Sequence, residues 1–297
     1  MGQKVFVTGA TGVLGRRLIP RLVEAGHQVT AVARSPEKAE AVRAAGATPI
    51  EVDLFDRSAL RAALEGYDSV AQMATNIPTG AAAADPSAWR INNSIRREAA
   101  PAIAGAAIDV GVSRYIQESI TFPYVDGADQ WIDEQFERSY NSANESVAVA
   151  EAAAMGVTDA GGVGIVLRFA MFMAPDSDHI RRFFSAAQRG LFALVGDLDG
   201  YVSFIDMDDA AAAVAAALAV QAGTYNVAEP DPLRRSAHRE ALAGLVDRST
   251  LEPVSSPSGG SGANVLARSH RISSRHLRDV SSWAPTVHCV DQWKELR

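Results

Sequence analysis

Three glycines set at equal intervals close the first apolar run of the chain, in Thr8-Gly9-Ala10-Thr11-Gly12-Val13-Leu14-Gly15. In this pattern the first glycine permits a tight turn, the second lets a phosphate approach the backbone, and the third packs a helix against a strand. The free amides of a helix start at Thr11, Val13 and Leu14 then suit a pyrophosphate. The chemistry implied is the binding of a nicotinamide dinucleotide. The end of the second strand separates the two forms of such a cofactor: a carboxylate there takes the ribose hydroxyls of NAD, and a cation takes the 2′-phosphate of NADP. The residues are Ala31-Val32-Ala33-Arg34-Ser35, with no acid and with Arg34 in the place of the cation. NADP is the expected cofactor and NAD the alternative. Lys38, Arg16 and Arg17 stand within reach of the same phosphate as further cations.

The elements that must position this turn follow from periodicity. Lys4–Thr8 reads as a strand, and Leu14, Leu18, Ile19, Leu22 and Val23 as one face of a helix that Gly26 ends. Strands are predicted over 29–33, 48–52, 69–73, 115–117 and 163–167. Helices are predicted over 36–45, 57–64, 89–110 and 144–155. Strands alternating with helices imply an α/β fold, a Rossmann-type doubly wound parallel sheet. After Arg168 turn-rich segments appear. A smaller C-terminal substrate lobe is expected over 169–297, following a dinucleotide-binding domain over 1–168 and partly returning to its sheet. Helices over 180–189, 208–220 and 237–246 are expected to close over the carboxyl edge of the sheet, and 255–262 reads as a mobile loop.

Composition narrows the classes. The chain has 297 residues, 47% hydrophobic and 21% charged, with a formal charge of −7. That balance suits a globular protein and opposes a nucleic-acid binder, which needs a basic surface. Cys289 is the one cysteine, which excludes an intrachain disulfide and a cysteine metal cluster. No run reaches the roughly 18 apolar residues of a membrane span. A cytoplasmic setting, a small-molecule partner, no nucleic acid, no membrane and no metal are therefore expected.

Further along lie Val52-Asp53-Leu54 after the third strand, Met73-Ala74-Thr75 after the fourth, and Asn92 in the long helix. Glu118-Ser119-Ile120-Thr121 follows the fifth strand, and Leu167-Arg168-Phe169 with Pro175 the sixth. Phe204-Ile205-Asp206-Met207-Asp208-Asp209-Ala210 and Gly223-Thr224-Tyr225-Asn226-Val227 come later. With the glycine turn, these make the chain resemble an extended or atypical short-chain dehydrogenase/reductase of the NAD-dependent epimerase/dehydratase type. The resemblance implies that Asp53 and Leu54 meet adenine, that Met73, Ala74, Thr75 and Asn92 line the cofactor, and that Ser119 and Thr121 polarise a substrate carbonyl. It also implies helices over 89–110 and 139–155 through which such folds pair, so a homodimer is one assembly open to the chain.

Common members of that family use Tyr-x-x-x-Lys before the sixth strand, where lysine lowers the pKa of the tyrosine that passes the proton. Here Ala143 falls at the tyrosine position and Val147 at the lysine position, while Tyr140 is followed by Asn144. The lysines of the chain are Lys4, Lys38 and Lys294, all remote from that site. Three readings stay open: a reductase whose proton comes from Ser119, Thr121, Tyr124 or Tyr140 with help from an arginine or a substrate hydroxyl; a non-redox isomerase, lyase or cyclase; and a dinucleotide-sensing regulator. The favoured one is a reductase of a carbonyl or activated double bond in a small apolar molecule, in secondary metabolism. Phe122, Trp131, Phe169, Met171, Phe172 and Met173 suggest the apolar pocket. Asp133, Glu134 and Glu137 lie in a lid-like segment whose charge run reads first as a solvated helix face, and His179, read first as a surface or capping group, is the alternative candidate for substrate contact.

Overall fold

The computed structural model describes residues 2–78, 82, 85–141, 144–254 and 265–297. Ala143 and the stretch 255–262, to which the sequence assigns a lost tyrosine and a mobile loop, lie outside them. Seven parallel strands form the central sheet: β1 (Lys4–Thr8), β2 (Gln28–Val32), β3 (Thr48–Ile50), β4 (Ser69–Gln72), β5 (Arg114–Ile120), β6 (Val163–Phe169) and β7 (Gly223–Val227). Their order across the sheet is β7-β6-β5-β4-β1-β2-β3. The order reverses between β1 and β4, and at such a switch point the carboxyl ends of neighbouring strands open a crevice for a ligand. The glycine turn leaves β1 at that crevice.

Both faces are covered, as a parallel sheet requires. On one face lie α1 (Gly15–Glu24) and α8 (Met207–Ala217), packed around Leu18, Leu22, Ile116, Ile165, Ala210 and Val214. On the other lie α3 (Arg57–Leu64), α5 (Ala100–Asp109) and α6 (Ser146–Asp159), around Phe6, Leu60, Ile103, Tyr115 and Val157. The helix predicted over 208–220 is thus α8, and it packs beside α1 on the face of the sheet instead of closing over its edge. The reason is composition: its alanines present a thin, wholly apolar flank that fits closely against α1. β7, beyond residue 169, also rejoins the main sheet, parallel to β6. The remaining elements past β6, including α7 (Asp178–Gln188) and α9 (Arg235–Leu245), gather around Phe192, Phe204, Leu242 and Trp293 as a separate cluster.

The single long helix expected over 89–110 is interrupted. It runs as α4 (Arg90–Ser94), a π turn (Ile95–Ala99) and α5. Pro101 explains the break, since its ring would clash with the carbonyl of Arg97 and it has no N–H to donate, so the widened turn before it relieves both.

Candidate functional site

Gly9 leaves β1 with φ +71°, in the left-handed region, and a Cβ there would sit 2.4 Å from the Met73 carbonyl oxygen. A Cβ at Gly15 would sit 2.3 Å from the Gly9 carbonyl oxygen. These two positions accept only glycine because backbone meets backbone. At Gly12 the nearest atom to such a Cβ is the Gly9 oxygen at 3.3 Å, and nothing else lies within 4 Å, so its outer side is open. Leu14 starts α1 without a side-chain cap, and the amides of Val13 and Leu14 are bonded to no described residue. A cradle of close backbone with open amides at a helix N-terminus fits the pyrophosphate of a dinucleotide.

The ends of β1 and β4 are locked together beside this cradle. The Met73 and Ala74 amides donate to Thr8 Oγ1 at 3.1 and 3.2 Å, and Gln72 also contacts that hydroxyl. Thr75 is exposed at the mouth. Asn92, fully buried, accepts the Asn76 N–H at 3.0 Å and so fixes the segment after β4, while its Nδ2 has no partner among the described residues. Asp53 holds a turn by accepting the Phe55 N–H at 3.0 Å, above a half-buried Leu54. Arg34 is exposed just past β2 and forms no ion pair among the described residues. Arg16 and Arg17 are otherwise engaged, pairing with Asp176 at 2.9 and 3.1 Å.

On α6 the chain builds a buried ionic cluster around Glu151. Arg168 of β6 grips that carboxylate with Nε at 2.8 Å and Nη2 at 2.7 Å, Arg138 adds Nη1 at 2.8 Å, and Ser119 donates its hydroxyl at 2.6 Å. Burial alone would raise the Glu151 pKa, but bonds and charge from Arg168, then Ser119 and Arg138, carry it below the ordinary carboxyl value. Arg168 also donates to Tyr124 Oη at 2.8 Å, which in turn donates to Asn226 Oδ1 at 2.8 Å. Tyr124 is fully buried, and burial, opposed by Arg168, pushes its pKa up to about 12. Ser119 and Tyr124 are therefore brought together in one network.

Tyr140 stands at the rim of that network, half-buried, with the Arg138 guanidinium 5.7 Å from its ring centre. Burial and the Glu151 charge raise its pKa, and Arg138 and Arg168 act against them. Thr121 is held at the carboxyl end of β5 by its amide, which donates to the Phe169 carbonyl at 3.0 Å, and its hydroxyl bonds to no described residue. Val147 is buried in α6. His179 turns away from solvent, its Nε2 donating to the Phe172 carbonyl at 2.6 Å. Glu134 accepts the Asn226 N–H at 2.7 Å, so the lid-like segment is pinned there to β7, while Asp133 and Glu137 are exposed.

Sequence reasoning missed Glu151 and Arg138 as partners, and it missed the buried pair of Arg96 in the π turn with Glu118 of β5, Nη2 to carboxylate at 3.1 and 3.3 Å. A signal was present: Glu118 and Arg168 are charges inside strands, where an unpaired charge is prohibitive. Among the described residues, no three His, Cys, Asp or Glu side chains gather as a metal site, and no helix is long and apolar enough to cross a membrane.

Comparison with known proteins bears on this cradle directly. A family model described as NAD(P)H-binding matches residues 9–158. A 3-diazoavenalumate denitrifying reductase of a Streptomyces species is 26% identical over 300 residues, covering 96% of both chains. A 2-alkyl-3-oxoalkanoate reductase of Stenotrophomonas maltophilia is 30% identical over 226 residues, 71% of this chain and 64% of that one. Three other curated relatives align at higher identity over only 23%, 24% and 36% of their own lengths. In structure, the UDP-N-acetylglucosamine 4-epimerase of Bacillus cereus superposes with a TM-score of 0.77 at 18% identity, covering 99% of this chain and 98% of that one. The chain belongs to the NAD(P)H-binding family, built on the epimerase/dehydratase-like short-chain dehydrogenase/reductase fold, and its cofactor is a nicotinamide dinucleotide.

Proposed function

We propose that the protein is an NADP-dependent reductase acting on a carbonyl or activated double bond of a small, fairly apolar molecule. The observation that carries the reading is the glycine cradle with its open amides, together with Arg34 just past β2, which forms no ion pair among the described residues. Gly9, Gly12 and Gly15 with Thr11, Val13 and Leu14 would hold the pyrophosphate, and Arg34 the 2′-phosphate. Asp53 and Leu54 would meet the adenine, and Met73, Ala74 and Thr75, braced by Asn92, would line the rest. The bound cofactor supplies the hydride.

The protein's own part is to place the acceptor and give a proton. Thr121 lies at the carboxyl end of β5, free to donate to a substrate oxygen. Tyr140 is half-buried with the Arg138 guanidinium by its ring and the Arg168 charge acting on it, and a neutral tyrosine can protonate an alkoxide that is far more basic than itself. Ser119 and Tyr124 are assigned to holding Glu151 and Arg168, and through them the wall of the site. The name of the relative matched over 96% of both chains ends in reductase, and so does that of the 2-alkyl-3-oxoalkanoate reductase matched over 64% of its length, which supports carbonyl reduction. A cytoplasmic setting in secondary metabolism, and pairing as a homodimer, belong to the same proposal.

The test mixes purified protein with NADPH and a panel of small ketones, oxo acids and enones, following reduced cofactor together with product mass. Consumption of one cofactor per product, with a mass gain of two hydrogens, is the expected result. Turnover in which cofactor is neither consumed nor required would replace the reading with a non-redox isomerase or lyase.

A further inference from the structure

The turn that follows Met173 reaches across to the first turn of α1. Ser177 bonds the Ala174 carbonyl twice, through its amide at 2.9 Å and its hydroxyl at 2.7 Å, and Arg181 of α7 donates Nε to the Pro175 carbonyl at 3.3 Å. Ala174 and Ser177 are buried, so both ends of the turn are seated and Asp176 projects from it. Its two carboxylate oxygens are divided between neighbouring arginines of α1, Oδ2 accepting from Arg16 Nη2 at 2.9 Å and Oδ1 from Arg17 Nη2 at 3.1 Å. Arg17 also donates Nη1 back to the Val13 carbonyl at 3.1 Å, inside the glycine turn. These ion pairs therefore stand on the rim of the cradle whose Val13 and Leu14 amides are open. We infer that Asp176 is a cofactor-retaining residue: its clasp on Arg16 and Arg17 closes the C-terminal segments over the pyrophosphate of the bound dinucleotide and sets the rate at which that dinucleotide leaves. The inference rests on the dinucleotide site described above and is independent of the reaction that follows.

The clasp joins two bodies of the fold that have separate cores. α1 packs against the sheet through Leu18 and Leu22, whereas Ile180 of α7 belongs to the cluster around Phe192 and Trp293. A dinucleotide with its adenosine at Arg34 and its nicotinamide toward Thr121 would cross the glycine turn beside this joint. Burial alone would raise the Asp176 pKa, but the bond and charge of Arg17, then the charge of Arg16, carry it below the ordinary carboxyl value, so the clasp is ionic at neutral pH. Asp176 and Arg16 are about half exposed, which makes each pair a modest tie, suited to a contact that opens at every exchange of cofactor. Arg17 Nε also lies 3.7 Å from Asp208 of α8, so loss of Asp176 leaves Arg17 an acid and frees the turn.

NADPH release is followed by stopped-flow loss of reduced-cofactor fluorescence on displacement with excess NADP, and 2′,5′-ADP, which lacks the nicotinamide half, is titrated by calorimetry. D176A and D176N are expected to speed release by about three- to tenfold, the scale of two exposed ion pairs, with 2′,5′-ADP affinity within about twofold of wild type. D176E keeps the charge and should release more slowly than either. R16Q should speed release in the wild type and add nothing in D176A, because Arg16 acts through the clasp. Wild-type release rates in D176A and D176N, an equal weakening of 2′,5′-ADP, or an R16Q effect undiminished in D176A would overturn the inference. A wild type that binds NADH and not NADPH would sink the NADP reading alone, and the same release measurement with NADH then decides the clasp.

Discussion

At Glu151 two guanidiniums and a hydroxyl converge on one buried carboxylate, and the consequences differ for each neighbour. Removing one partner of a buried pair strands the other charge, so R168M should cost about 3–5 kcal/mol in urea unfolding. Replacing Glu151 and Arg168 together by methionine should cost less than R168M alone; a double variant less stable than the single one would contradict the pairing. The pKa of Glu151 is lowered in the folded state, so its contribution is present above the unfolded carboxyl value near 4.5 and is lost as pH falls through the lower folded value. Tyr140 is the residue whose chemistry is at stake. Y140F should lower kcat by about 10²-fold or more with NADPH affinity unchanged, whereas Y124F should act on stability; an unaltered kcat in Y140F would remove it from the proton path. The tight turn at Gly9 and the position of Arg34 just past β2 follow from local sequence, because their geometry is local. The sequence gives no sign that Ser119 partners Glu151, which stands 32 positions away and is met only after folding.

Elements were legible where a single period dominates. β1, α1 and α3 follow their apolar spacing, and Gly26 leaves α1 with φ +83° as a helix-ending glycine does. β5 was harder: its last residues, Glu118 and Ser119, look like loop, and they belong to the strand because Arg96 and Glu151 satisfy them from neighbouring helices. The long helix hid its break, since the clash that Pro101 makes one turn back carries no hydrophobic signature. Between β6 and α6 a single glycine governs the fit. A Cβ at Gly164 would lie 1.8 Å from the Ala154 carbonyl oxygen, a main-chain atom that cannot rotate away. G164A should therefore push α6 off the sheet, destabilise by several kcal/mol and disturb Glu151, on the scale of overpacked cores. Thermal unfolding checks it, and a wild-type midpoint would show that α6 sits less tightly than the geometry states.

The whole molecule is closed by Glu229, just past β7, whose two oxygens accept the Phe204 and Cys289 amides at 3.0 Å each. It joins the main sheet, the C-terminal cluster and the end of the chain. Burial, opposed by those two amides, raises its pKa to about 7. The folded state then holds the proton more tightly than the unfolded state, so stability falls as pH rises from about 4.5 to about 7, by about 2–3 kcal/mol. E229Q should flatten that slope in unfolding measured across this range; a slope unchanged in E229Q would assign it to other groups. At this scale the alternating pattern foretold a doubly wound sheet but not the placement of α8 against α1, because an alanine-rich helix gives little sign of which surface it will meet.

The central proposal is that a nicotinamide dinucleotide sits on the glycine turn with Arg34 selecting the phosphorylated form. Calorimetric titration of wild type and R34A with NADPH and NADH tests it most directly. The wild type should prefer NADPH, and R34A should lose about 10- to 100-fold in NADPH affinity, the scale of a charge-assisted hydrogen bond, while NADH stays within about twofold. Equal losses for both cofactors, or binding of neither by the wild type, would contradict it.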